Sequence, residues 1–450
     1  MKIKYLSLAM ALGLCSCGDS DTNGPTVCPV TQSFYQTLLF DVNSSGDKGS
    51  RGGRVLTSSE AANDIDVVCV AVYRLEADGS IGEKVFSRDL SWKDSIASLQ
   101  EGQMVHINFR GAPELASTHG LDDGFYTVMA TGYSFDHSFV FRPAVDALDA
   151  ASPFANAVCA DGQGIEEIFA GGIPSIEVKD RQFVPDASSS AFKTVTLRRQ
   201  VAGTFGYFSN IPSKGFDGTP ATHLRLVASN ENNLLRLAAF NETGAVESVV
   251  NGAKSGTLTP DAKFADGADG YTVYETALTD WFPNGDVTGD GVLNDKDANY
   301  NGMSGNWKVP AWLDNKLSVK VGTIFCSNFL VPFLCDSRPT FELQLVAKIA
   351  TGGIVVLRHW GATVADRQTG VKVVGENGKL ADTGNGESVS SYSILRNHIY
   401  SMGKKSLAKP DPDSPSDGDE PENLSKGEIV VMTVNDNWEE HNRLIIKPQV

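Results

Sequence analysis

The chain has 450 residues, 41% of them hydrophobic and 9% aromatic, with 44 glycines. That is enough apolar material for two or three packed cores, and apolar runs of strand length suit an antiparallel β protein. A formal net charge of −17 argues against nucleic acid, because phosphate binding needs a basic face; it suits solubility at a cell surface and attraction for divalent cations.

Lys2 and Lys4 precede the apolar run 5–14, which is too short to span a membrane, so residues 1–16 read as an export signal. The run ends in Leu14, Cys15, Ser16 and Cys17, which resembles a lipobox with Leu at −3, a small Ser at −1 and then the acylated cysteine. Cys15 is the poorer acceptor because bulky Leu14 sits directly before it. The expectation is an outer-membrane lipoprotein acylated on Cys17, the lipid being its only predicted anchor and residues 18–25 a polar tether. Cys28, Cys69, Cys159, Cys326 and Cys335 remain, an odd number, so at least one has no partner within the chain. Cys326 and Cys335 are close enough for a loop staple in the periplasm; two buried thiols in the apolar stretch 325–334 fit equally.

Phe34, Leu38, Phe40 and Val42 alternate with other residues at a period of two, the mark of a strand. A glycine-rich basic loop follows over 43–54, and Arg51 and Arg54 in it are accessible to a trypsin-like protease, although a plain mobile loop has the same composition. The run 65–73 is apolar on both faces, as a central strand is, and 76–79 turns it back. Strands are also expected over 104–109 and 125–131, with irregular loops over 144–165. Composition turns small and polar at 188–190, where a second domain is expected to begin. Val195, Leu197, Val201, Phe205 and Tyr207 suggest one face of a long strand. Phe341, Leu343, Leu345, Ala347 and Ile349 share a face opposite Glu342, Gln344 and Lys348, and Gly352 and Gly353 turn into 354–357. A strand over 392–402 is followed by an acidic, proline-rich linker, 409–421, that cannot join a sheet. The β-forming run 429–434 and the apolar run 444–446 then either fold back or pair with a neighbour's edge.

The sharpest motif runs from Asp286 to Asp297. Oxygen side chains fall at loop positions 1, 3, 5, 9 and 12 (Asp286, Thr288, Asp290, Asn294 and Asp297), Gly291 occupies turn position 6, and Val292 offers its carbonyl at 7. Ca²⁺ takes six or more oxygens at about 2.3–2.6 Å, and this spacing wraps them round one point. The loop resembles that of dockerins, which also close on Asp, but it stands alone and has Thr288 where Asn is commoner, so only a structural ion site carries over. No metalloprotease, serine-hydrolase, phosphate-loop or paired-cysteine motif is present, and the seven histidines lack metal-ligand spacing. His398 reads as a satisfied sheet residue, and no enzymatic activity is expected. Trp281, Trp307, Trp312 and Trp360 suit a surface glycan-binding lipoprotein, or the core.

Several segments in series resemble the fimbrillins, lipoprotein subunits of type V pili from Gram-negative anaerobes. They are the lipobox at Cys17, strand 34–42, the basic loop through Arg54, the run 65–79, Glu167 to Gly171 leading to 195–202, and Leu395-Arg396-Asn397-His398-Ile399-Tyr400 with the linker and the closing strand up to Trp438. The resemblance implies a mainly β fold: two transthyretin-like antiparallel β-sandwich domains in tandem (55–191 and 192–408, the latter with the calcium loop) after a lipidated segment, 17–54, and before a linker and C-terminal donor strand, 409–450. It also implies that an arginine-specific protease cuts after Arg54, or less favourably Arg51. The first strand then leaves with the lipid, and another subunit's C-terminal segment, here Ile429, Val431 and Thr433, fills the groove. The implied partners are other fimbrial subunits and a host or bacterial surface ligand. An anchor or minor subunit that keeps its lipid is the alternative, and a glycan-binding lipoprotein a further one.

Overall fold

The alternation over 34–42 produces β1 (Thr37–Val42), and the doubly apolar run supplies β2 (Val67–Leu75). The computed structural model describes residues 36–42, 67–91, 104–112, 115, 120–133, 156–158, 167–184, 193–237, 248–302, 305–313, 318–335, 340–350, 352–362, 370–375, 380–382, 392–405, 418–426 and 432–435. Among them the protein is mainly β, as expected, and no helix is long and apolar enough to cross a membrane.

Five further strands complete the first sheet: β3 (Ile81–Ser91), β4 (Met104–Asn108), β5 (Gly124–Tyr133), β6 (Phe169–Lys179) and β7 (Lys193–Arg199). Their order is β3-β2-β5-β6-β7-β1-β4, with Gln182–Phe183 hairpinned onto β6. The contact between β6 and β7 is only two residue pairs long, Phe169 with Arg199 and Ala170 with Arg198. The sheet curls at that short seam, so Leu38, Ile107, Val195 and Leu197 meet Val70, Val72, Phe86 and Val128 in one core. The other face of β2 explains its second apolar row. Cys69, Ala71 and Tyr73 join a larger core made mostly of residues after Val201, including Phe205, Phe325 and Leu343.

That second core lies between two more sheets. One has the order β11-β8-β14-β16, from β8 (Ala202–Ser209), β11 (Thr323–Leu330), β14 (Ile399–Met402) and β16 (Met432–Asn435). The other runs from Ala262–Lys263 through β10 (Asp269–Ala277), β9 (His223–Ala228) and β12 (Phe341–Lys348) to β13 (Ile354–Ala362). Phe205 stacks on Phe325 with ring centroids 5.5 Å apart. The hairpin of β12 and β13 is as expected, but Glu342 and Gln344 on the polar face of β12 are buried like the apolar residues, while Lys348 is exposed. Gln344 is fully buried there; its Nε2 donates to Lys263 O at 2.7 Å and its Oε1 accepts from Arg225 Nε at 2.9 Å.

Two expectations need correction. The stretch 195–207 is not one long strand opening a domain at 192: β7 completes the first sheet and β8 begins the second. The chain leaves the ladder at Gln200, whose N–H donates to Ile168 O at 2.8 Å, whose side chain donates to Arg198 O at 2.8 Å, and whose carbonyl accepts from Asn251 Nδ2 at 3.0 Å. By sheet membership the change-over falls after Arg199. The second correction concerns the linker, because residues 418–421 are docked. Glu420 and Lys404 exchange backbone hydrogen bonds of 2.8 and 2.9 Å, and β15 (Glu422–Asn423) pairs parallel with Phe208 and Ser209.

Candidate functional site

β1 lies inside its sheet, parallel to β7 on one side and antiparallel to β4 on the other. Phe40 is in register with Val195 and Val105, and Leu38 is fully buried. Removing such a strand opens two ladders and a slot lined by Val195, Leu197 and Ile107, so the expected removable strand is structurally a plug. Arg51 and Arg54 lie outside the described residues, as does Cys17 with the signal segment.

At the other end of the chain, Asp419 fixes the docked segment. Its carboxylate pairs with Lys405 Nζ at 3.2 Å, both side chains being buried, and accepts from Tyr207 OH at 3.4 Å. Burial pushes the Tyr207 phenol well above its ordinary range, which keeps it a donor. Lys320 Nζ donates to Asp419 O, and Leu424, 2% exposed, donates its N–H to Ser209 O at 3.1 Å. A buried ion pair costs much desolvation, and removing one partner leaves an uncompensated charge. The segment 418–426 is therefore part of the domain. Beyond it, β16 pairs antiparallel with β14 of its own chain, Thr433 opposite Ser401, and among the described residues it has no strand on its other side. Ile429 and Val431 lie outside the described residues.

The Asp286–Asp297 loop forms a tight turn. Gly291, at φ +90°, adopts the left-handed conformation that turn position 6 requires. Carboxylate oxygens of Asp286, Asp290 and Asp297 lie within 4.8 Å of one another. Asp286 accepts from Gly289 N at 2.7 Å, Gly291 N at 2.9 Å and Thr288 Oγ1 at 3.2 Å. Burial raises the pKa of its carboxyl, and these bonds together with one from Ser213 Oγ at 2.9 Å outweigh that, leaving it below the ordinary value. Asp297 is fully buried and accepts from Val287, Thr288 and Asn294 N–H, each at 3.0 Å. Asn294 caps the one-turn helix Asp295–Ala298 through Lys296 N at 2.8 Å, and position 9 of such loops often reaches its ion through water. Val292 sits in a two-residue ladder against Ile211–Pro212. Sequence reasoning missed Ser213 and Asn306. Asn306 is 1% exposed and bonds Asn284 N at 2.8 Å, Gly285 O at 3.1 Å and Asp297 O at 3.2 Å, joining the two ends of the loop. Nothing local in the sequence marks either residue, since both act across long separations.

Three of the segments carrying the family resemblance converge at the join between the halves. Glu167 pairs with Arg199, both buried, and the Arg199 guanidinium lies 4.9 Å from the Phe169 ring centroid and donates to Asn397 Oδ1 at 3.1 Å. Asn397, at φ +59°, donates its N–H to Val201 O at 2.9 Å. His398, 3% exposed, sets its Nδ1 2.8 Å from Arg396 O, a satisfied position. Of the four tryptophans singled out, Trp281 and Trp360 are buried, Trp307 is half-buried with its Nε1 on Thr323 O at 2.8 Å, and Trp312, 48% exposed, faces solvent. Those four therefore do not form a sugar-stacking platform. Cys326 and Cys335 are buried thiols rather than a disulfide, and Cys335 Sγ lies 3.4 Å from Ser229 Oγ.

No family model matches the chain, and no curated protein matches it. Its solved-structure neighbours are fimbrial proteins. A fimbrilin from Porphyromonas gingivalis is 10% identical with a TM-score of 0.36, over 91% of this chain and 99% of that one. A fimbrial assembly protein from Parabacteroides distasonis is 11% identical with a TM-score of 0.31, over 82% and 91%. A tip fimbrial protein from Porphyromonas gingivalis is 10% identical with a TM-score of 0.30, over 83% and 96%.

Proposed function

We propose that this chain is a structural subunit of a cell-surface fimbria that polymerises by protease-triggered strand exchange and supports adhesion. The observation that carries the reading is the position of β1: an interior strand with Leu38 in the core, followed in the sequence by the glycine- and arginine-containing stretch 43–54. An arginine-specific protease cuts after Arg54 or Arg51, β1 departs with the lipid on Cys17, and the C-terminal segment of another subunit enters between β7 and β4. Strand addition supplies main-chain hydrogen bonds, and alternate side chains fill the slot. Each large aliphatic residue buried contributes about 1.5–3 kcal/mol, so a donor with several of them gives on the order of 10 kcal/mol before ordering costs.

Within the subunit the acidic loop holds Ca²⁺ as a structural staple. Asp286, Asp290 and Asp297 would supply carboxylates, Thr288 its hydroxyl, Val292 its carbonyl and Asn294 a water-mediated contact. The ion would neutralise clustered negative charge and tie the loop to the Ser213 segment. N-terminal sequencing of shed fibres tests the main reading, with Val55 or Gly52 expected as the first residue. A first residue of Cys17 identifies instead an anchor or minor subunit that keeps its lipid in the outer membrane.

A further inference from the structure

Gln36, the residue just before β1, is fully buried, and its carboxamide is bonded on both of its polar atoms. Nε2 donates to Leu121 O at 2.8 Å and to Arg181 O at 3.0 Å, while Oε1 accepts from Leu121 N–H at 2.8 Å. Its backbone carbonyl accepts from Phe109 N–H at 3.1 Å. The side chain thus pairs with the Leu121 peptide reciprocally, as a neighbouring strand would.

The recess is shaped around that group. Gly120 has φ +85°, and a Cβ there would lie 2.0 Å from Gln36 Oε1. Asp180 and Arg181 both take left-handed conformations, at φ +52° and +60°, which cost energy for residues other than glycine. The Asp123 carboxylate holds them there by accepting both of their N–H groups, at 3.0 and 2.7 Å. Arg181 O is thereby free to accept from Gln36 and from the Arg110 guanidinium.

We infer that this recess is a carboxamide-reading subsite of the strand groove, filled by Gln36 before exchange and by Asn442 of a second copy of this chain afterwards, so that Leu444 and Ile446 rather than the expected Ile429, Val431 and Thr433 enter the groove. The inference rests on the strand exchange proposed above. Loss of Gln36 with β1 would leave the Leu121 N–H and C=O buried without partners, which folded proteins avoid. A primary carboxamide carries donor and acceptor side by side on one planar group, matching the N–H and C=O of Leu121; a carboxylate has no donor to offer. From Gln36 the chain reads carboxamide, then Leu38, Phe40 and Val42 at +2, +4 and +6. Beyond Lys426 the pattern recurs, in the same direction, at Asn442 with Leu444 and Ile446 at +2 and +4. Asn435 and Asn437 are followed at +2 by Asn437 and Glu439, polar residues that do not repeat the pattern. Pro448 falls at +6, level with the last residue of β1, where a strand can close on proline.

The full-length chain, cut with trypsin, tests this by the rate at which its polymers dissociate in detergent at fixed temperature. Polymers of Asn442→Ala and Asn442→Asp are expected to dissociate on the order of tenfold faster than wild type. Asn442→Gln, which restores the length of Gln36, should dissociate at the wild-type rate or more slowly. Wild-type rates for both Ala and Asp variants would overturn the subsite. A chain ending at Lys426 separates the two ideas. Its failure to polymerise, combined with wild-type kinetics for Asn442→Ala, removes the subsite alone, whereas its polymerisation removes strand exchange and the subsite with it.

Discussion

β1 and β16 are both short strands near the ends of the described chain, and they are held in opposite ways. β1 has a neighbour on each side, a fully buried Leu38 and a fully buried Gln36 at its head. Among the described residues β16 has a single neighbour, β14, and of its four residues Met432 reaches the core. Extracting an interior strand opens two ladders at once, while an edge strand leaves by breaking one. In the exchange proposed above, a front segment so placed would need a chain cut to leave, whereas the back segment would need only one ladder broken.

The strongest way to break this comparison is to remove the cut. A chain with both Arg51→Ala and Arg54→Ala should form no polymers after treatment with an arginine-specific protease, as judged by size-exclusion chromatography. Polymers at the wild-type yield would mean that β1 leaves unaided. Next in size is Asp419→Ala, which removes the carboxylate beside the buried Lys405 ammonium and is expected to lower stability by about 3–5 kcal/mol in urea unfolding. A change within error of zero would place the segment 418–426 with the exchanging tail rather than with the domain. Leu38→Ala should destabilise the uncut precursor by about 2–5 kcal/mol yet leave fibres unaffected once the strand is gone. An equal effect on fibres would show that β1 is retained. The smallest effect is expected from calcium. At roughly a hundred times its Kd the ion should add about 2.7 kcal/mol, read as a rise in Tm relative to chelator and absent in Asp286→Ala.

Local patterns in the sequence reported what depends on local periodicity. The two apolar rows of 65–73 anticipated a strand shared by two cores, and the oxygen spacing of 286–297 anticipated which carboxylates converge. Distant partners left no such trace. Gln200 ends a ladder by bonding Ile168 and Asn251, Gln344 hides a polar face by bonding Lys263 and Arg225, and Asp419 recaptures a segment that composition marks as linker. In each case a polar side chain is satisfied by a group far away in sequence, so hydropathy reads it as exposed when it is buried. Gln36 belongs with them: it precedes its strand like any polar flank, and only the turns at Gly120 and Arg181 give it a role.

The rooting of the tail at Asp419 and Leu424 also sets a tether length. Once β16 is released, residues 427–442 span the distance from Lys426 to Asn442, and a fully extended chain advances at most about 3.3–3.6 Å per residue. In a fibre assembled as proposed, the receiving recess of one subunit lies no more than roughly 55 Å from the root of its neighbour's arm. The axial repeat is bounded by that leash, and shortening it residue by residue should halt growth once the leash falls below the repeat.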